Sequence, residues 1–219
     1  MTTSKKETEV QTLEDYRVAL ENAVNQTEIA TTMAEFGYDA TKIAEGKQFL
    51  EATVLAYNTN KQEDDETVAS RSDFDNKKAA LTKTYAMQRK KAKIVFRNDE
   101  VILKKLDLTG AVPKAYASWL QLLKTFYNGI QSDPAIQSKL TVLQLTSEDV
   151  SNGLVAITEL ETARSLYLKE IGESQDATKA KDQAFELIDK WMMDFNAVAR
   201  IAMKDRPQLL EALGLLVRS

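Results

Sequence analysis

The chain has 219 residues with 29 basic and 33 acidic side chains, which gives a net charge of −4 at pH 7. It contains 7 glycines, 3 prolines, no cysteine and no histidine. Disulfides, zinc sites built from thiolate or imidazole, and nucleophiles activated by histidine are therefore excluded. The scarcity of glycine and proline predicts long helices, because a β-rich protein uses both residues in its many turns.

The same composition sets expectations about location and partners. No stretch approaches the roughly 18 uninterrupted apolar residues of a membrane-spanning helix, and the polar N-terminus does not resemble a secretory signal. We therefore expect a cytoplasmic protein with no membrane partner. A net acidic chain also argues against nucleic acid, because binding to phosphates needs a basic surface. No cofactor and no metal are expected.

The first predicted helix runs from about Thr12 to Phe36, after a disordered lead-in over residues 1–11. Its apolar residues recur at spacings of three and four, as on one face of a helix. Gly37 then supplies the left-handed conformation that often ends a helix.

Asp39 is the predicted N-cap of a second helix, and Tyr38 and Ile43 flank it at the spacing of a hydrophobic staple. The polar stretch from Asn58 to Asp73 is interpreted as containing the connection to the next helix. A third helix follows from about Phe74 to Arg97, and a short terminal helix capped by Asn98 ends near Leu108.

Residues 109–112 are the predicted joint between two halves of the chain. In the second half, a helix containing Trp119, Phe126 and Tyr127 stops between Asn128 and Pro134, and a shorter helix continues to about Leu143. Thr146 is the next predicted N-cap, with Asp149 as its reciprocal partner. The stretch from Gly172 to Thr178 is interpreted as a connection, and Asp205 as the cap of a second short terminal helix.

The two halves are similar at a fixed offset of 107 residues, which joins Gly46 to Gly153 and Leu106 to Leu213. Caps and apolar stripes recur at the same offset, which is typical of a tandem repeat. We therefore predict an all-α fold, a tandem pseudo-two-fold helical bundle. Unit 1 would comprise residues 12–108 and unit 2 residues 113–219, packed on each other. Each would have three long antiparallel helix positions and a short terminal helix.

Five residues are candidates for a ligand site: Gly46, Gly153, Tyr85, Trp119 and Trp191. A glycine inside a helix costs about 0.5–1 kcal/mol relative to alanine, so something must offset that cost at both glycines. A close helix crossing is the simpler interpretation, and a ligand lying against the bare backbone is the alternative. The aromatic residues are interpreted mainly as core, with an apolar pocket as the alternative.

A basic tract lies near the end of the first half: Arg89, Lys90, Lys91, Lys93, Arg97, Lys104 and Lys105. Only Lys93 and Arg97 have basic counterparts in the second half, Arg200 and Lys204. Cations near the C-terminus of a helix complement its macrodipole. The tract is therefore interpreted as a solvated helix face, with an anionic partner as the alternative.

Several segments resemble a group of uncharacterised bacterial proteins with all-helical tandem repeats: Phe36–Asp39, Gly46, Phe126–Tyr127, Leu103–Leu108, Leu209–Leu215 and the closing residues to Ser219. The resemblance covers most of the chain. It implies a helical fold and a bacterial cytoplasmic protein. It implies no activity, so no functional residue is carried over.

The sequence contains no convergent set of catalytic residues, although carboxylate, lysine, tyrosine or serine chemistry stays open. We expect a non-enzymatic interaction or structural protein that binds a protein partner or self-associates, marked by an apolar surface patch. The alternative is a binding module for a small apolar or anionic ligand at the interface between the two units.

Overall fold

The computed structural model describes residues 8–215, and this range is helical without a strand. The all-α class is therefore confirmed. The α-helices are α1 (Glu9–Asn25), α2 (Thr27–Glu35), α3 (Ala40–Val95), α4 (Glu100–Lys105), α5 (Tyr116–Gln131), α6 (Pro134–Leu140) and α7 (Ser147–Ala202). Two 3₁₀ segments follow α6 and α7, at Thr141–Leu143 and Pro207–Leu213.

Residues 8–11, which the sequence assigned to a disordered lead-in, are ordered at the start of α1. Thr8 is the N-cap of α1, and its side chain accepts a hydrogen bond from the backbone N–H of Gln11. Helix α1 then begins at Glu9, so residues 8–11 belong to the helix and its cap. Residues 1–7 of the predicted lead-in, and the closing residues 216–219, lie outside the described residues.

The two predicted connections inside the halves are wrong, because α3 and α7 are each continuous over 56 residues. The stretch from Asn58 to Asp73 contains neither glycine nor proline, and its lysine, glutamine and glutamate residues favour a helix. Gly172 is an isolated glycine, which a long helix tolerates at modest cost. Each long helix therefore replaces two of the three long helix positions that the sequence predicts.

The chain forms two compact units whose boundaries differ from those of the predicted sequence halves. One unit, called unit 1 from here on, contains residues 1–64 and 173–219, and unit 2 contains residues 65–172. The difference arises because α3 and α7 each contribute one part to each unit. Unit 1 has α1, α2 and the segment Pro207–Leu213 around its share of the long helices. Unit 2 has α4, α5 and α6 around its share.

Each unit has its own hydrophobic core. In unit 1 the fully buried side chains include Leu20, Ile29, Met33, Ile43 and Phe195. In unit 2 they include Tyr85, Leu106, Leu123, Phe126 and Tyr127. Both cores combine the apolar stripes of the long helices with those of the shorter helices beside them.

Polar groups pair the two long helices where the apolar stripes fade. In unit 1 the Thr53 hydroxyl lies 3.1 Å from the Ala184 carbonyl oxygen, and the Asn60 amide donates to the Thr178 hydroxyl at 3.0 Å. In unit 2 the Thr67 hydroxyl donates to the Glu170 carbonyl oxygen at 3.0 Å. Within each unit α3 and α7 are antiparallel, and these hydrogen bonds satisfy polar side chains that face the partner helix.

Corresponding elements of the two halves begin 107 residues apart: Glu9 and Tyr116, Thr27 and Pro134, Ala40 and Ser147, Glu100 and Pro207. The predicted long first helix is interrupted at Gln26, whose counterpart at this spacing is Asp133, the N-cap of α6. Paired stripe positions are buried in both halves, as at Ile43 with Val150, Leu50 with Ile157, Leu81 with Ile188, Ala92 with Ala199, and Leu106 with Leu213.

The caps of the two long helices agree with the sequence. An Asp39 carboxylate oxygen accepts a hydrogen bond from the Lys42 N–H at 2.9 Å. Thr146 and Asp149 form the reciprocal pair, with N–H to side-chain oxygen distances of 2.8 and 3.2 Å. The caps of the short terminal helices are one residue later than predicted, at Asp99 and Arg206.

We predict that Asp65→Pro destabilises the protein by about 3 kcal/mol or more, because proline removes a helix hydrogen bond and clashes with the preceding turn. Asp65 is exposed in the middle of α3. Asp65→Ala removes the same charge without breaking the helix and serves as the control. Urea unfolding and far-UV circular dichroism measure the difference. Equal stability of the two variants would mean that this stretch is a loop, as the sequence suggested.

Candidate functional site

In unit 1, the missing side chain of Gly46 makes room for the indole ring of Trp191. A Cβ atom at Gly46 would lie only 2.5 Å from Cη2 of Trp191, so no larger residue fits without movement. The ring is stacked on Phe195 with 5.5 Å between centroids, and Tyr38 meets its edge at 5.6 Å. Gly46 is therefore the close crossing between α3 and α7.

In unit 2, Gly153 makes room for a ring from a different helix. A Cβ atom at Gly153 would overlap the ring of Tyr127, which α5 supplies. The buried Tyr127 hydroxyl donates to Oε1 of Gln88 at 2.7 Å. Burial raises the pKa of Tyr127 well above its ordinary value of 10.0, so the phenol stays neutral over the ordinary pH range.

The five candidate residues of the sequence do not form one site. Gly46 and Trp191 touch in unit 1. In unit 2 the ring centroid of Tyr85 lies 6.4 Å from that of Tyr127, the residue that fills the space at Gly153. Trp119 lies elsewhere in that core, 6.1 Å from Tyr116 between ring centroids. The contacts at Gly46 and Gly153 agree with a close helix crossing, and the aromatic rings are core residues.

Comparing the two halves at the 107-residue spacing shows an exchange of large and small side chains. Trp191 corresponds to Thr84, and Tyr127 corresponds to Leu20. Each glycine thus receives one large ring, but from α7 in unit 1 and from α5 in unit 2. The sequence reasoning missed this exchange, although the paired sizes at the fixed offset were a usable signal.

A groove is open beside α1 in unit 1, and Leu20, the counterpart of Tyr127, lies in its lining. This α1–α3 groove has a volume of about 530 Å³ and is lined by Arg17, Leu20, Glu21, Lys47, Leu50, Glu51, Val54, Leu55 and Asn58. Its floor is apolar, and 68% of the Leu55 surface and 38% of the Val54 surface are exposed. It is our candidate functional site.

The rim of the α1–α3 groove is charged. Arg17 forms ion pairs with Glu14 at 2.6 Å and with Glu21 at 2.7 Å, both on its own helix. The hydrogen bond from Arg17 lowers the pKa of Glu14 below its ordinary value. Lys47 and Glu51 line the opposite wall on α3. The rim therefore offers both signs of charge above an apolar floor.

The corresponding place in unit 2 is lined by different side chains. Tyr127 replaces Leu20, and Lys124 and Glu161, the counterparts of Arg17 and Val54, form an ion pair at 2.7 Å. Thr162 stands where unit 1 has Leu55. At these positions unit 2 has a buried ring, an ion pair and a threonine, whereas unit 1 has the exposed side chains of Val54 and Leu55.

The α1–α3 groove is lined by few kinds of functional group. Its lining side chains are aliphatic, charged or amide groups, and they include no serine, threonine or tyrosine hydroxyl. Its reactive groups are the amine of Lys47 and the carboxylates of Glu21 and Glu51. An apolar floor with a charged rim is the usual anatomy of a protein interface.

No family model, curated protein or solved structure matches the chain. Within residues 8–215, no helix is both long enough and apolar enough to cross a bilayer. Function is therefore inferred from the geometry of this chain alone.

We predict that Gly46→Ala and Gly153→Ala each destabilise the protein by about 1–3 kcal/mol, because the added methyl group overpacks a ring. Gly172→Ala is the control, since Gly172 is an exposed residue of α7 with no atom within 4 Å of the added Cβ. That control should gain about 0.5–1 kcal/mol from helix propensity. Urea unfolding measures all three. The crossing account fails if the three substitutions have the same effect.

We predict that Tyr127→Phe destabilises by about 1–3 kcal/mol near pH 7, because the side-chain oxygen of Gln88 is left buried without a donor. The pKa of Tyr127 is raised in the folded state from 10.0, so the parent's advantage is complete below pH 10 and falls as the pH rises above it. Urea unfolding at several pH values should show the gap narrowing. The half-buried Tyr57, replaced by phenylalanine, is the control, and a gap that is constant with pH would contradict the assignment.

Proposed function

We propose that the protein is a non-enzymatic interaction protein whose α1–α3 groove receives apolar side chains of a protein partner. The observation that carries the proposal is the contrast between the units. In unit 1 the groove exposes Val54 and Leu55, whereas the corresponding positions of unit 2 carry Glu161, which pairs with Lys124, and Thr162. Apolar side chains of a partner would cover the two exposed aliphatic residues of unit 1, for which unit 2 has no apolar equivalent.

The exposed side chains supply a driving force for binding. Fully burying an exposed leucine or valine contributes about 1.5–3 kcal/mol, and Leu55 and Val54 both stand open at the groove. Arg17 is held in place by Glu14 and Glu21, and a charge fixed in this way can orient a partner without being reorganised. A peptide with two or three apolar side chains on one face fits these features.

We further propose that the two halves are copies of one duplicated helical unit, as their matched element starts and buried positions suggest. The pseudo-two-fold arrangement remains a prediction from the sequence, as do the bacterial origin and the cytoplasmic location. In this account one copy of the groove kept a packed, purely structural role, and the other kept or acquired a binding role. No part of the proposal requires a cofactor or a metal.

A peptide-display selection tests the proposal directly. Random peptides are selected on the parent protein, and their Kd is measured by fluorescence anisotropy against two variants. Leu55→Glu places a charge in the groove, and Thr162→Glu places the same charge at the corresponding exposed position of unit 2. Peptides with clustered apolar residues should lose at least about tenfold in affinity, or 1.4 kcal/mol, on Leu55→Glu. Thr162→Glu should leave the Kd unchanged.

Two results would overturn the proposal. The first is a selection that enriches no peptide, and the second is a set of enriched peptides that bind Leu55→Glu as tightly as the parent. Thermal unfolding of both variants shows that a loss of binding does not come from a loss of folding. Stabilisation by small apolar molecules, abolished by Leu55→Glu and without any peptide binding, would instead favour a small-ligand module.

A further inference from the structure

The two units carry opposite net charge. The 33 acidic residues divide into 20 in unit 1 and 13 in unit 2, and the 29 basic residues into 13 and 16. Unit 1 therefore carries −7 and unit 2 carries +3, which together give the −4 of the whole chain. A basic unit within an acidic chain needs an explanation of its own.

The positive charge of unit 2 is concentrated on one face of α3. Four basic side chains surround a groove of about 480 Å³ and are called the basic face: Arg89, Lys90, Lys93 and Arg97. Ala86, Ile94 and Val112 complete its lining, and about half of the Ile94 surface is exposed. None of the four cations forms an ion pair with a carboxylate of residues 8–215.

Part of the basic tract has a structural role. The guanidinium group of Arg89 donates to the carbonyl oxygens of Leu108 and Gly110 at 3.1 and 2.6 Å, and so holds the joint against α3. Lys91 donates to the carbonyl oxygen of Gln144 at 3.0 Å. Lys105 pairs with Asp133 at 2.7 Å. These contacts explain why the tract is concentrated here.

The remaining cations of the basic face have no such contact. Lys93 lies in the last turn of α3, where it complements the helix macrodipole. That effect falls off within one turn, so it does not account for Lys90. It also does not account for Ile94 and Val112, which place apolar surface between the cations. The corresponding face of unit 1 keeps only Arg200 and Lys204, with Ala197 where unit 2 has Lys90.

We propose that the basic face binds an acidic amphipathic segment of a protein partner. Glutamate or aspartate side chains of such a segment would pair with Lys90, Lys93 and Arg97, and its apolar side chains would cover Ile94 and Val112. Nucleic acid is the less favourable occupant, because no aromatic side chain lines the groove for a base to stack on. Its floor is aliphatic, which suits a peptide side chain. The site is separate from the α1–α3 groove, so it goes beyond the proposed function.

The test uses fluorescein-labelled synthetic peptides and matched charge reversals. One probe combines glutamate and leucine at helical spacing, a second has glutamate without leucine, and a third replaces glutamate by lysine. Binding to the full-length protein is followed by anisotropy near physiological ionic strength. The glutamate–leucine peptide should bind best, and Lys93→Glu with Arg97→Glu should weaken it at least tenfold.

The control is Arg200→Glu with Lys204→Glu, which makes the same charge change at the corresponding positions of unit 1. It should leave binding within about twofold of the parent, as should Leu55→Glu in the α1–α3 groove. Equal weakening by both charge-reversal pairs would overturn the proposal, because it would show only a net-charge effect. Tighter binding of an oligonucleotide than of the peptide, or self-association abolished by the unit 2 reversal, would also overturn it.

Discussion

The contact between a helical glycine and one aromatic ring is the constraint on which the rest of the structure depends. Gly46 and Gly153 each leave space for a single ring, and a different helix supplies that ring in each unit. In unit 1 the ring of Trp191 comes from α7, and the groove beside α1 is open. In unit 2 the ring of Tyr127 comes from α5, and a smaller groove of about 340 Å³ remains beside Thr84 and Gln88 instead. The packing at the two glycines thus differs through two exchanges of large and small side chains, Trp191 for Thr84 and Tyr127 for Leu20.

The long helices show how a helix can continue without a hydrophobic stripe. In the middle of α3, three positions that face α7 carry the polar residues Thr53, Asn60 and Thr67 in place of leucine or valine. Their side chains form hydrogen bonds with α7. A fully satisfied polar contact between helices costs little, whereas an unsatisfied one would cost about 1–3 kcal/mol. These hydrogen bonds therefore fix how α3 and α7 align along each other. Most of the buried apolar side chains lie in the cores of the two units.

The sequence predicted the helical class, the caps of both long helices and the buried pairs at the 107-residue offset, because those depend on local spacing. The prediction of a connection between Asn58 and Asp73 was wrong. Asn60 and Thr67 in this stretch form hydrogen bonds with residues more than 100 positions away, and the local sequence does not show such contacts. It identified Gly46 and Gly153 as special but not the rings that meet them. Tyr127 and Trp191 both lie in the second half of the sequence, at positions that do not correspond to each other, so the partner of each glycine depends on which helix approaches it. The α1–α3 groove was missed because the exposure of Val54 and Leu55 depends on which side chains pack beside them, and local spacing does not show that.

The basic tract contains two kinds of cation, those that bind oxygen atoms of the chain itself and those that do not. Arg89, Lys91 and Lys105 bind carbonyl or carboxylate oxygens of the chain itself, so their presence follows from the fold. Lys90, Lys93 and Arg97 share no such requirement, yet they flank the exposed Ile94. Holding like charges close together carries a repulsive cost, and salt screens it only beyond a distance of roughly 8 Å at physiological ionic strength. Unit 1 keeps basic residues at two of these three positions, Arg200 and Lys204, so Lys90 beside Ile94 is the cation that distinguishes the proposed binding face.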